Sequence, residues 1–241
     1  MAIDRAVQLS VEAGEQPPTL RLYQWQRPTV TLGRFQSAEG VDLDYCRDNG
    51  IDVVRRFTGG RGVLHDDELT YCVVAGTKDG IPRGVAASYR HLSEVLAEAY
   101  VRLGVTQAAV TQRDSAPSAS SACYLATTRA DLSAGAHKLS GSAQVWSGST
   151  VMQHGSFTIS RDVDREAQVF RLSTQEAADL AAHTLTFIDA LGRRVSIEEI
   201  QQASIGAFAD VLGAEFELSD LAEAERSSAN ALMHEVVVCE K

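Results

Sequence analysis

The stretch from Arg55 to Asp66, RRFTGGRGVLHD, constrains the fold of this chain more than any other. It separates two apolar runs of strand length, residues 51–54 and 69–75. Three glycines, a threonine and three arginines thus sit between two strands. Glycine lets the backbone approach a bound group and adopt positive φ. Successive N–H groups in such a turn form an anion-binding nest, and guanidiniums add fixed positive charge. The loop suits a small acidic or carbonyl-bearing ligand.

The surrounding pattern predicts an α+β fold of mixed, mostly antiparallel sheets with packed helices. A helix over 2–13 ends at Gly14, and Pro17-Pro18 forbids its continuation. Strands follow over 19–25, with Leu20, Leu22 and Trp25 inward, and over 29–32. A short helix over 41–49 has Gly50 past its end. Leu92, Val95, Leu96, Ala99 and Leu103 mark one face of a helix over 88–103, stopped by Gly104. A strand over 105–110 leads into a Ser- and Ala-rich loop over 111–122. Residues 137–146 and 150–159 read as a hairpin turning at Ser147-Gly148. Beyond Arg161 the pattern turns helical. Ser173 with Glu176 and Ser196 with Glu199 form capping boxes. Ile197, Ile200, Ala207, Phe208 and Val211 mark an amphipathic helix ending at Gly213, and 220–233 is a further helix. The expectation is a single domain over 1–241, with core sheet and pocket in 1–160 and a mainly helical subregion in 161–241.

Charge and cysteine usage exclude several function classes. The formal net charge of -10 repels phosphate backbones, and no basic run offsets it, so nucleic acid is not an expected partner. Apolar stretches fall short of a membrane span, and the N-terminus lacks a signal-peptide pattern. Cys46, Cys72, Cys123 and Cys239 show no metal-ligand spacing, so no metal is expected. A cytoplasmic protein with free thiols is the expectation.

Two further segments carry chemistry. In HKLSGSAQ, alternation puts Lys138, Ser140, Ser142 and Gln144 on one strand face. That face is either solvated or a set of donors for an oxygen that gains negative charge during reaction. Cys123, in SSACY, is either inert filler or a nucleophile activated by a nearby cation. Cys72, within an apolar run, reads as core. His65-Asp66 is either half of a catalytic dyad or a pair that shapes the loop. His154 either lines the pocket or is a satisfied, half-buried histidine. Asp66-Asp67-Glu68 reads as a solvated turn.

RRFTGGRGVLHDDELTY, SSACY, HKLSGSAQ and VMQHGSF, in this order and spacing, resemble the lipoate–protein ligase and octanoyltransferase superfamily. That superfamily shares its catalytic fold with biotin–protein ligase. The resemblance extends through LRLY at 20–23, GRFQ at 33–36 and the stretch 188–221. A cysteine this far ahead of the lysine looks most like the cysteine-dependent, Gram-positive-type octanoyltransferases. Met1 opening a helix directly, Phe57 where proline is common, and the ending MHEVVVCEK depart from the family's usual pattern.

The resemblance implies transfer of octanoyl from octanoyl-acyl carrier protein to a lysine of a lipoyl-acceptor protein, such as glycine cleavage H protein. Cys123 is the implied nucleophile and Lys138 the implied oxyanion stabiliser. Arg56, Thr58, Gly59, Gly60, Arg61, Gly62, Val63 and His65 shape one part of the implied substrate site. Ser140, Gly141, Ser142, Ala143, His154 and Gly155 shape the other. No cofactor is required on this reading. The alternatives are ATP- and Mg-dependent lipoate ligation, lipoyl amidotransfer and non-catalytic lipoate binding. Docking of an acidic carrier or acceptor falls to a local patch of Arg34, Arg55, Arg56 and Arg61.

Overall fold

A computed structural model describes residues 1–111, 120–125 and 131–238. Most of the expected loop over 111–122, and Cys239, lie outside the described residues. In chain order the elements are α1 (Ala2–Ala13), β1 (Thr19–Tyr23), β2 (Thr29–Leu32), α2 (Leu43–Asp48), β3 (Asp52–Arg55), β4 (Val63–His65) and β5 (Glu68–Gly76). Then come α3 (Val85–Arg102), β6 (Ala108–Val110), β7 (Leu132–Ala134), β8 (His137–Ser140), β9 (Ser142–Ser147) and β10 (Thr150–Thr158). The remainder is α4 (Val163–Val169), α5 (Thr174–His183), α6 (Phe187–Leu191), α7 (Ile197–Leu212) and α8 (Glu223–Val236).

Among the described residues three sheets form. The largest is antiparallel, in the order β1-β5-β10-β9. All of β5 is buried, because strands flank it on both edges and helices cover both faces. Its odd positions, Leu69, Tyr71, Val73 and Ala75, pack with Leu92, Val95 and Leu96 of α3 and Phe208 of α7. Its even positions, Cys72 and Val74, pack with Val7 and Val11 of α1. The alternation of a strand thus feeds two cores at once. Each fully buried leucine or valine in α3 stabilises the fold by about 1.5–3 kcal/mol. The second sheet, β3-β2-β4, joins β3 parallel and β4 antiparallel to β2. The third is β6-β7-β8, antiparallel throughout.

The helix ends follow the expected local chemistry. Ser173 and Ser196 accept from the N–H groups of Glu176 and Glu199 in reciprocal capping boxes. Gly14 and Gly213 close α1 and α7 in the left-handed conformation. Phe57 packs against Ile3 of α1 and near Ala229 of α8, so its ring ties the glycine loop to both helices.

Three expectations change. The stretch 55–66 is not all loop, because Val63–His65 pairs with β2. The strand expected over 137–146 breaks at Gly141, sending β8 into one sheet and β9 into another. The crossing is tight: a Cβ on Gly155 would meet the Gly141 carbonyl oxygen at 2.8 Å, and one on Gly141 would meet Lys138 Nζ at 3.1 Å. Lys138, Ser140, Ser142 and Gln144 therefore do not share one strand face. Val211, placed on the buried stripe of α7, is 41% exposed, because the packed face there passes through Leu212 instead.

Candidate active site

The large and second sheets meet at a cavity with about 520 Å³ of free space, partly open to solvent and mostly apolar in its exposed lining. One wall comes from β2, β4 and the glycine loop, through Thr31, Arg56, Gly60, Val63 and His65. The other comes from the large sheet and the Gly141 crossing, through Thr70, Gly141, Ser142, Ala143, His154, Gly155 and Ser156. Met1, Cys123 and Tyr124 complete it.

Backbone pairing puts Cys123 there. Gly62 and Ala122 form a parallel bridge, in which Gly62 N–H donates to Ser121 at 2.9 Å and Cys123 N–H donates to Gly62 at 2.8 Å. The glycine is needed at this contact, since a Cβ on Gly62 would lie 2.6 Å from the Phe170 ring. Gln36 adds a staple, its amide donating to the Ser121 carbonyl at 3.1 Å. Cys46 and Cys72, by contrast, are buried. Burial, aided by Asp42, pushes Cys46 up to about 11, and burial pushes Cys72 well above the usual thiol range.

Lys138 lies behind the lining. Its buried ammonium donates to Asp131 Oδ2 at 2.9 Å and points at the Cys123 carbonyl oxygen 3.5 Å away. Burial opposes this charge, but Cys123 and the Asp131 carboxylate outweigh it and hold Lys138 above the ordinary lysine value. Tyr89 donates to the other Asp131 oxygen at 3.0 Å and accepts from the Ser142 N–H at 3.0 Å. One buried carboxylate thus joins the lysine to the crossing between sheets.

The glycine loop is held from inside by guanidinium groups. Arg56, 4% exposed, donates to the carbonyls of Thr31, Gly59 and Arg61 at 3.0, 2.8 and 2.7 Å. Arg55 donates to the carbonyls of Gly33 and Gln36, both at 2.7 Å. Gly60 takes φ 95°, and a Cβ on Gly33 would strike the Gly60 carbonyl oxygen. The expected docking patch of four arginines loses two of its members, while Arg34 stays exposed. Arg56 is buried and Arg55 is occupied by loop carbonyls.

The two histidines differ. His65 Nε2 lies 2.9 Å from Thr31 Oγ1 and Nδ1 lies 2.7 Å from Glu68 Oε1, with Trp25 stacked on the ring at 4.8 Å. Its acidic partner is Glu68, since Asp66 pairs with Arg165. Glu68 is buried, contrary to the solvated turn expected. Burial opposes its charge, but His65, Thr70 and Ser156 hold the carboxyl below its ordinary value. His154 Nε2 lies 2.7 Å from Thr58 Oγ1, while Nδ1 has no hydrogen-bond partner and lies 3.7 Å from Asp4 Oδ2. Burial lowers the His154 pKa, against the pull of Asp4, so this ring is held neutral.

Of the residues singled out in the sequence, Arg56, Gly60, Val63, His65, Cys123, Gly141, Ser142, Ala143, His154 and Gly155 line the cavity. Thr58, Gly59, Arg61, Gly62, Lys138 and Ser140 are outside the lining. Thr58 supports His154, and Ser140 Oγ donates to the Ser156 carbonyl at 2.8 Å. Sequence reasoning passed over Asp131, Tyr89, Thr31 and Tyr124. Nothing near Asp131 in the chain distinguishes it from a surface aspartate; its role comes from the β7–β8 hairpin, whose irregular register begins beside it. Among the described residues no group of three or more His, Cys, Asp or Glu could hold a metal ion, and no helix is long and apolar enough to cross a membrane.

The family described as the lipoyl protein ligase A/B catalytic domain matches residues 1–209. Octanoyltransferase LipM of Kyrpidia tusciae is 37% identical, over 97% of this chain and 89% of that protein. Octanoyltransferase LipM of Symbiobacterium thermophilum is also 37% identical, over 100% and 91%. A crystal structure of lipoate-protein ligase A bound with ATP superposes with a TM-score of 0.80 at 27% identity, covering 97% of this chain and 88% of that one.

Proposed function

This chain belongs to the lipoyl protein ligase A/B catalytic-domain family, and from that premise we propose that it is a cysteine-dependent octanoyltransferase of protein lipoylation. The observation that carries the reading is the position of Cys123. It is half-exposed in the cavity wall, bonded through its backbone to the glycine loop, with the Lys138 ammonium beside it. The names of its relatives in K. tusciae and S. thermophilum support the same reading.

In the proposed reaction an octanoyl thioester on acyl carrier protein enters the cavity. Cys123 Sγ attacks the carbonyl carbon, the carbon–sulfur bond to the carrier breaks, and the carrier thiol leaves with the proton given up by Cys123. The amine of an acceptor lysine, on a lipoyl-acceptor domain such as glycine cleavage H protein, then attacks the Cys123 thioester. An amide forms, and the cysteine thiol is regenerated with a proton from the amine. Both steps pass through an oxyanion, which a fixed ammonium in a dry pocket stabilises. Lys138 supplies that charge, and Asp131 holds it in place. A thioester already carries the energy for amide formation, so this reaction uses neither ATP nor metal. Residues 1–241 act as one catalytic domain on this reading, in the cytoplasm with the carrier.

Incubation with octanoyl-acyl carrier protein should give a hydroxylamine-labile octanoyl adduct on Cys123, seen by intact mass. Adding acceptor protein without ATP should move the group to a lysine, and Cys123→Ala should abolish both events. Acceptor modification that requires ATP and survives Cys123→Ala would overturn the reading in favour of ligation.

A further inference from the structure

The mechanism above leaves one buried charged group next to the nucleophile unused. Arg161 follows β10 and is almost wholly buried, with its guanidinium 3.8 Å from the centroid of the Tyr124 ring. Its Nη1 also donates to Glu166 on α4 at 2.6 Å. Tyr124 is the residue after Cys123. Lys138 Nζ lies 5.6 Å from the same ring, and the Tyr124 hydroxyl lies 3.1 Å from Thr158 Oγ1 on β10. A planar guanidinium on an aromatic face is a directional contact, and stronger when desolvated. Burying a cation and its carboxylate together gives little net stability, since desolvation offsets their attraction. The placement of this pair therefore asks for another explanation.

We propose that Arg161 is a positioning residue: by stacking on Tyr124 it fixes the Cys123 turn against β10 and α4, and so sets where the thiol stands relative to Lys138. The inference rests on the octanoyltransferase reading for its chemistry but not for its geometry. A turn of this kind, clamped to the glycine loop through Gly62 and Gln36, needs a further fixed point on the side of β10. Tyr124 is that point, and Arg161 holds it from beneath. Displacing a reacting atom by about 1 Å costs on the order of a hundredfold in rate, so a small slackening of the turn has a measurable cost.

The experiment compares the rate of octanoyl-Cys123 formation, by intact mass, in the native protein and in Arg161→Lys, Tyr124→Leu, Tyr124→Phe and the Arg161→Lys/Tyr124→Leu combination. Arg161→Lys keeps the ion pair with Glu166, so the buried carboxylate is not left alone. The expected result is an acylation rate lowered about tenfold or more in Arg161→Lys and in Tyr124→Leu, with donor KM unchanged in Arg161→Lys. The combination should fall no further than the worse single change, and Tyr124→Phe, which keeps the ring, should lose less than Tyr124→Leu. Native acylation in Arg161→Lys, multiplying losses in the combination, or a loss in Tyr124→Phe as large as in Tyr124→Leu would each overturn the proposal. The rate of Cys123 alkylation by iodoacetamide, mapped by peptide mass, reads the same turn without any acyl donor. If the native protein forms no octanoyl adduct, the transferase reading fails, and slower alkylation in Arg161→Lys and Tyr124→Leu still supports the positioning role, while unchanged alkylation ends it.

Discussion

The two walls of the cavity are held in shape by different physics. On the side of β2, β4 and the glycine loop, guanidinium groups of Arg55 and Arg56 donate to backbone carbonyls, and Gly62 pairs with the cysteine segment through its backbone. Those groups keep their charge and bonding across the ordinary pH range. On the side of β8 and β10 the supports are buried and titratable. Lys138 leans on Asp131, and His154 lies between Thr58 and Asp4, whose carboxylate is also bound by Arg21 and Tyr23. His65 and Glu68 stitch the walls together, one from β4 and the other from β5. The first wall is rigid by geometry and the second by charge, so they should fail under different insults.

The harshest break is Lys138→Met, which removes the buried cation from the Asp131 carboxylate. We expect a stability loss of about 3–5 kcal/mol, read by denaturant unfolding. Acylation of any folded fraction should also fall by about 10²–10³. A variant with native stability would mean that the Lys138–Asp131 pair adds nothing to folding. Arg56→Met comes next, because three carbonyls lose their donor. The expected loss is about 3 kcal/mol, with no change in how stability varies with pH, and a changed pH slope would show that this wall also depends on titrating groups. Gly155→Ala puts a methyl within 2.8 Å of the Gly141 carbonyl oxygen. A cost of about 1–3 kcal/mol is expected at the crossing between sheets, and an unchanged melting temperature would mean the crossing is looser than it looks.

The pH test separates the walls most cleanly. Burial depresses the folded pKa of His154 below its ordinary 6.5. The unfolded chain therefore takes up this proton first, so stability is full above about that value and declines as pH falls towards the folded pKa. Asp4 is depressed too: burial opposes its charge, but the N-terminal ammonium, His154 and Arg21 prevail, and its share of stability goes only in stronger acid. Melting temperature should thus fall between pH 7 and 5 in the native protein and fall less in His154→Gln. Equal slopes would assign the acid sensitivity elsewhere. The mildest change is Ser173→Ala at the exposed α5 cap. It should cost about 1 kcal/mol and leave the octanoyl adduct on Cys123 at its native rate.

The parts legible from sequence share a property: their physics is local. Gly14 ends α1, Ser173 and Ser196 start α5 and α7, and the apolar run around Cys72 is a buried strand, each decided by a few neighbouring residues. The glycine loop and the order of its companion segments were legible because their residue types are rare in combination. Glu68 and Asp131 were not. Both are carboxylates whose burial depends on partners brought in by sheet pairing, and an isolated acidic residue reads as surface. The break at Gly141 was hidden for a related reason. Alternation runs through it undisturbed, and only the approach of Gly155 reveals why the strand changes sheets there.

The clasp between Gly62 and the segment around Cys123 has a consequence for how the protein comes into being. Its two halves lie far apart along the chain. Contacts of that span form after local ones, because loop closure must be overcome before they give anything back. During synthesis the glycine loop emerges well before the thiol that it will hold. A chain released early, or one that has begun to unravel, carries an ordinary cysteine and no acyl pocket. On the proposed reading, reactivity at Cys123 is thus a late product of folding, and its appearance in time marks the moment the molecule is whole.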